Sequence, residues 1–191
     1  MSDLERLLAD LISGEETRAE SAAKELSRHG ASAVEALTRL QMNSDEDQRW
    51  WATRALAACN HAQARHALMH ALTDPSIAVR QCAALGLRTN PNPNAIPLLL
   101  DALEAKDRLL ARLAGDALVA LGPAALEALA QTLKEGLPAQ RGEAARALAL
   151  LGIPEVIPIL YAAVDDPSSI VQHWIDEGLN RLGVGMVVFK P

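Results

Sequence analysis

Aromatic side chains are scarce in this chain: three Trp, one Tyr and one Phe make up 3% of its 191 residues. Strands draw heavily on aromatic and β-branched residues, so the scarcity argues against a β-sandwich or barrel. Cysteine is nearly as rare, and two residues, Cys59 and Cys82, are too few for a disulfide framework at this length. No apolar run approaches the roughly 20 residues needed to span a bilayer. The opening MSDLERLLADLISGEE is acidic and amphipathic, without the basic-then-apolar order of a secretory signal. A soluble, cytoplasmic protein is expected. Positive charge is not in surplus either. Lys and Arg number 18 against 24 Asp and Glu, for a net charge of −6 and a pI near 5.4, which disfavours nonspecific nucleic-acid binding by the whole surface.

What is plentiful is Ala and Leu. Half the residues are apolar, too many for a disordered chain, and Ala and Leu are among the best helix formers. The composition predicts an all-α protein. A repeat organises it. Reference positions Ala19, Arg49, Arg80, Ala111, Arg141 and Gln172 are separated by 30, 31, 31, 30 and 31 residues. Seven residues after each lies Leu26, Leu56, Leu87, Leu118, Leu148 or Leu179, and twelve before each lies Leu7, Leu37, Leu68, Leu99, Leu129 or Leu160. Three after come Ala22, Ala52, Ala83, Ala114, Ala144 and Ile175; eleven after come Gly30, Asn60, Pro91, Gly122, Gly152 and Gly183.

Each period reads as two helices. The first is short and amphipathic, as in AIPLLLDALEA (95–105). A polar turn follows, such as Asn43-Ser44-Asp45, Asp74-Pro75-Ser76 or Asp165-Asp166-Pro167-Ser168. It offers an N-cap acceptor and, in two cases, a proline expected in the first turn of the second helix. That helix is expected to end where Gly or Asn supplies a left-handed residue, or where Pro91 cannot continue it. One period is too small to fold alone. A buried Leu contributes about 1.5–3 kcal/mol against roughly 1–2 kcal/mol of backbone entropy per ordered residue, so the periods must stack. Six are expected, at about 1–30, 31–60, 61–91, 92–122, 123–152 and 153–183, followed by an apolar tail, VGMVVFKP (184–191), suited to covering the last interface or pairing with another chain.

The segment DPSIAVRQCAALGLR (74–88) resembles the second helix of a HEAT repeat of the short, phycobilisome-lyase type, with Asp-Pro at the turn, Val-Arg at the reference and Ala and Leu on the helical face. LLARLAGDALVALG and SSIVQHWIDEGLNRLG share the frame more loosely. The resemblance runs from about residue 3 to 183. It implies a right-handed α-α superhelix whose second helices line a concave groove. It also implies an Arg-to-Asp ladder between repeats, expected to survive best around Arg49, Arg80 and Asp74 because Ala19, Ala111 and Gln172 replace the Arg elsewhere.

With the third, fourth, sixth and seventh positions after each reference in the core, the first, second, fifth and ninth point into that groove. All three Trp fall in the first two slots: Trp50, Trp51 and Trp174. These are candidate binding anchors, with Arg54, Arg112, Asp116, Arg146, His173, Glu177 and Arg181 around them, because Trp and Arg dominate interface hot spots. The alternative is that the rings fill gaps in the solenoid or pack on Arg stems. The slots hold six cations (Lys24, Arg28, Arg54, Arg112, Arg146, Arg181) and four anions (Glu20, Asp116, Glu143, Glu177), so an acidic or mixed-charge protein or peptide is the expected partner, unless the charges neutralise one another along the helices.

No chemistry stands out. His66 and His70, spaced i,i+4 with His61 nearby, lack a third ligand of obvious spacing, and no His-Glu dipeptide of the kind borne by di-iron HEAT hydroxylases occurs. Cys82 sits in a groove slot without a sequence-adjacent base, and no GxGxxG or phosphate loop is present. No metal, cofactor or catalytic residue is expected. The reading is a noncatalytic adaptor. Two alternatives stay open through the resemblance: a bilin-lyase-type protein seating a tetrapyrrole on Trp beside Arg54 or Arg112, and a HEAT-like DNA glycosylase using Trp50, Trp51, Asp116 and Arg146, for which the cation surplus is thin.

Overall fold

The structure, a computed structural model, describes residues 2–184. Among them there is no strand. Twelve α-helices follow one another: α1 (Asp3–Leu11), α2 (Glu16–Leu26), α3 (Gly30–Leu40), α4 (Glu46–Ala58), α5 (Ala62–Ala71), α6 (Ile77–Thr89), α7 (Ile96–Ala102), α8 (Arg108–Ala120), α9 (Leu126–Glu135), α10 (Pro138–Leu151), α11 (Ile157–Tyr161) and α12 (Ser169–Arg181). Short 3-10 turns at Pro93–Ala95, Gly122–Ala125 and Pro154–Val156 lead into α7, α9 and α11. The chain divides into two compact units, Met1–Leu98 and Leu99–Pro191, with the division inside α7. Each expected repeat interval holds one helix pair, α3 starting one residue early at Gly30. Of the expected tail only Val184 is described; its carbonyl accepts a 2.7 Å hydrogen bond from the Tyr161 hydroxyl.

Periodic leucines build the core of both units. All six at minus twelve and all six at plus seven are buried, none more than 4% exposed. Small residues set helix spacing. Six residues after the reference stand Gly86 and Gly178, where a Cβ would lie 2.8 Å from Ala57 Cβ of α4 and 3.0 Å from Ala149 Cβ of α10 respectively. Such close approach is what keeps α6 against α4 and α12 against α10.

Helix ends follow the turn chemistry, with two departures from the expected register. Gly30, Gly122, Gly152 and Gly183 adopt left-handed φ of 61–74°, the conformation that favours glycine after a helix. Asn60 does not: no non-glycine among the described residues has positive φ, and α4 ends on Cys59 in extended conformation. Asp45 caps α4 by accepting from the Asp47 and Gln48 N–H groups, and Ser76 caps α6. Pro75 and Pro167 therefore lie just before the caps Ser76 and Ser168, outside the first turns where they were expected. Among the described α-helices, α10 is the one that begins on a proline, Pro138.

The Arg–Asp ladder is built twice. Arg49 grips Asp74 with two parallel bonds, Nε to Oδ2 at 2.8 Å and Nη2 to Oδ1 at 3.0 Å, while its Nη1 donates to the carbonyls of Asn43 and Ser44. Arg80 donates to the Asp74 carbonyl at 2.7 Å. In the second unit Arg141 grips Asp166 at 2.9 and 3.4 Å and Gln172 donates to the Asp166 carbonyl at 2.8 Å. Gln172, read as a break in the ladder, thus does the work of Arg80.

Candidate functional site: the second-helix faces

In the first unit, α2, α4 and α6 pack side by side. Trp50 and Trp51, adjacent on α4, are both half-buried and meet edge to face with centroids 4.9 Å apart and planes at 88°. They wall a cleft of about 460 Å³ together with Ile12, Gly14, Glu16, Asp45, Asp47 and Gln48. Arg54, one turn further along α4, is held by Glu20 of α2.

In the second unit α10 lies between α8 and α12. The Arg112 guanidinium carbon sits 6.0 Å from the centroid of the Trp174 ring, and its Nη1 is 4.0 Å from Glu143. Trp174 is half-buried, and His173 touches it edge-on at 5.1 Å. Exposed Arg181 pairs with Glu177 at 2.7 Å. Arg112, Trp174 and His173 thus share one patch with Glu143.

Arg146 is not on the open face. Its slot predicted exposure, yet the side chain is 2% exposed. Nη1 lies 2.8 Å from Asp116, Nε donates to Glu143 at 2.7 Å, and Nη2 donates to the Arg112 carbonyl at 3.0 Å. The reason is α10 itself, buried on nearly every side through Gly142, Ala144, Ala145, Ala147, Leu148 and Ala149. Room for the guanidinium comes from Gly115 of α8, where a Cβ would stand 2.6 Å from Nη2. Asp116 is half-buried in the same cluster, so these two residues support the face from beneath. Cys82 and Gly142, also in open slots by the same scheme, are buried.

The expected positive groove is largely neutralised. Of its six cations, Arg28 pairs with Glu25, Arg54 with Glu20, Arg112 and Arg146 with Glu143, and Arg181 with Glu177; Lys24 makes no ion pair among the described residues. Around Trp50 and Trp51 the sign is reversed, since three carboxylates and no cation line the cleft. Sequence reasoning passed over these acids because they sit on the turns before α2 and α4 and in their first turns, outside the slots.

Burial pushes the Cys59 thiol up to about 11 and the Cys82 thiol up to about 12, so both stay protonated at neutral pH and neither has nucleophilic character. His66 and His70 face each other, Nε2 to Nε2 at 3.1 Å. No group of three potential metal-ligating side chains occurs among the described residues. No helix there is long and apolar enough to cross a membrane.

Tandem helix pairs with leucine-filled interfaces define a helical-repeat protein. The family follows from its sequence: a family model for HEAT repeats matches residues 33–119 and again 96–180, and the chain belongs to the HEAT-repeat family. No curated protein matches it. Among solved structures it is similar to an engineered protein (23% identity, TM-score 0.54, covering 97% of this chain and 98% of that one). It is also similar to the complex of CpcE and CpcF of phycocyanin lyase from a Nostoc species (22%, 0.57, 96% and 78%). A third is a designed armadillo repeat protein in complex with the peptide (KR)4 (19%, 0.50, 95% and 100%). At these identities the likeness is one of fold.

Proposed function

We propose that this protein is a noncatalytic, cytoplasmic interaction scaffold that holds another protein or a peptide against its second-helix faces, with Trp50 and Trp51 anchoring one contact and Trp174 the other. One observation carries the reading: none of the three indoles is in the leucine core, and each stands half-exposed on a second helix. A rigid aromatic side chain that is partly desolvated beforehand loses little entropy on binding, which is why such residues become hot spots. Arg54, Arg112, His173, Glu177 and Arg181 surround these anchors as a polar rim, and Asp116 and Arg146 hold the second face in shape. The peptide-bound designed armadillo protein illustrates how a related helical-repeat surface is used. Two free, buried thiols suit a reducing compartment.

Capture of partners from native cytoplasm by the wild-type chain and by Trp50→Ala/Trp51→Ala and Trp174→Ala variants tests this. Capture is expected to fall in at least one variant while far-UV circular dichroism and melting temperature stay close to wild type. If fold and capture fall together, the rings are structural and the reading fails. The phycocyanin-lyase likeness makes a visible absorbance band on the native protein the sign of a tetrapyrrole on Trp174 and Arg112. Asp116 and Arg146, which a glycosylase reading would require at a substrate, are engaged with one another.

A further inference from the structure

We infer that the Trp50/Trp51 cleft receives the cationic side chain, Arg or Lys, of a basic peptide segment. The inference rests on the reading of these rings as partner contacts and reverses the sign of the partner charge expected from the slots. Charge comes first. Glu16, Asp45 and Asp47 line the cleft and no Lys, Arg or His does. The Asp45 carboxylate accepts the Asp47 and Gln48 N–H groups, whereas those of Glu16 and Asp47 have no partner among the described residues. The ends of α2 and α4 add about half a positive charge each, which leaves the lining at roughly −2. The cations closest along the chain are engaged elsewhere: Arg49 with Asp74, Arg18 with Asp10 and Glu15, and Arg54 with Glu20.

Shape and π-electron density agree with charge. Two indoles packed edge to face at 88° wall the same space, and a ring face attracts a guanidinium or ammonium group. The second unit shows the arrangement already filled from within: Arg112 lies over Trp174 with Glu143 beside it. In the first unit the rings and carboxylates are present and the cation is not. A volume of about 460 Å³ accommodates a long side chain and part of the backbone that carries it.

The test uses the full chain carrying Trp174→Phe, so that emission reports Trp50 and Trp51 alone, titrated with the octapeptides (KR)4 and (ES)4. Expected are a saturable emission change with (KR)4, none with (ES)4, and affinity for (KR)4 lowered about tenfold or more in Glu16→Gln/Asp47→Asn, whose exposed sites leave the fold intact by circular dichroism. Absence of (KR)4 binding, equal binding by the neutralised variant, or preference for (ES)4 overturns the inference. Should any of these three accompany Trp50/Trp51-dependent partner capture, the scaffold reading stands and only the cationic ligand falls. Should no Trp variant alter capture, the scaffold reading falls instead.

Discussion

Arg146 shows how one side chain organises a face it does not reach. Its guanidinium joins α8 to α10 by bonds to Asp116, Glu143 and the Arg112 carbonyl. With it removed, Asp116 and Glu143, only 27% and 25% exposed, would keep only the more distant Arg112, 4.0 Å from Glu143, as a cation. Arg146→Met is therefore expected to cost about 3 kcal/mol in urea unfolding, with much of that recovered when Asp116→Asn and Glu143→Gln are added. Gly115→Ala separates packing from helix propensity. Alanine is the better helix former by about 1 kcal/mol, yet its Cβ would intrude on Arg146, so the variant is expected to be less stable than wild type; a gain would show the guanidinium moves aside freely. The thiols give a third expectation. With values raised to about 11 and 12 by burial, Cys59 and Cys82 should resist a disulfide reagent at pH 8 and react only once the chain is unfolded.

At the level of elements, the ladder determines how the polar turns are held. The Arg49 fork ties α4 to the turn before α6, and Arg141 repeats it with Asp166 at the same 25-residue separation. Burial alone would raise the Asp74 carboxyl, but bonds from Arg49 and the Ser76 N–H, with the charges of Arg49 and Arg80, bring it below its ordinary 3.8. The sign follows by linkage: the stabilisation is fully present above pH 3.8 and is lost as pH falls through the lower folded value. Asp74→Asn should lower stability by about 2 kcal/mol at neutral pH and flatten the acid limb of the curve of unfolding free energy against pH. An acid limb as steep as wild type would assign the effect to other carboxylates. The pair Arg49–Asp74 was legible because the resemblance placed it. Arg141–Asp166 was equally present in the spacing, since Asp166-Pro167-Ser168 stands six residues before Gln172 as Asp74-Pro75-Ser76 stands before Arg80, and it was hidden because Gln172 replaces the arginine there. Cap positions were harder to read, since which of Asp74, Pro75 and Ser76 ends the turn depends on hydrogen bonds that form only in three dimensions.

For the whole molecule, the leucine frame was plain in the sequence because two positions never vary in six periods. The faces were only half plain. A slot scheme fixes rotation about one helix axis, whereas burial depends on neighbours, and α10, enclosed by α8, α9 and α12, turns a nominally open slot inward. The acidic surround of Trp50 and Trp51 escaped for the complementary reason, that turn residues from two repeats meet there. Because the anchors fall in different units, with Trp50 and Trp51 before Leu98 and Trp174 after it, the indoles also serve as separate reporters of stability. Leu68 is fully buried in the first unit, and Leu68→Ala is expected to cost about 2–5 kcal/mol there. In a helical-repeat protein stability is a sum of local terms. The unfolding midpoint followed through Trp50 and Trp51, in a Trp174→Phe background, should therefore drop further than the midpoint followed through Trp174 in a Trp50→Phe/Trp51→Phe background. Equal drops would mean the two units unfold as one, and a ligand gripping either anchor would then stabilise both.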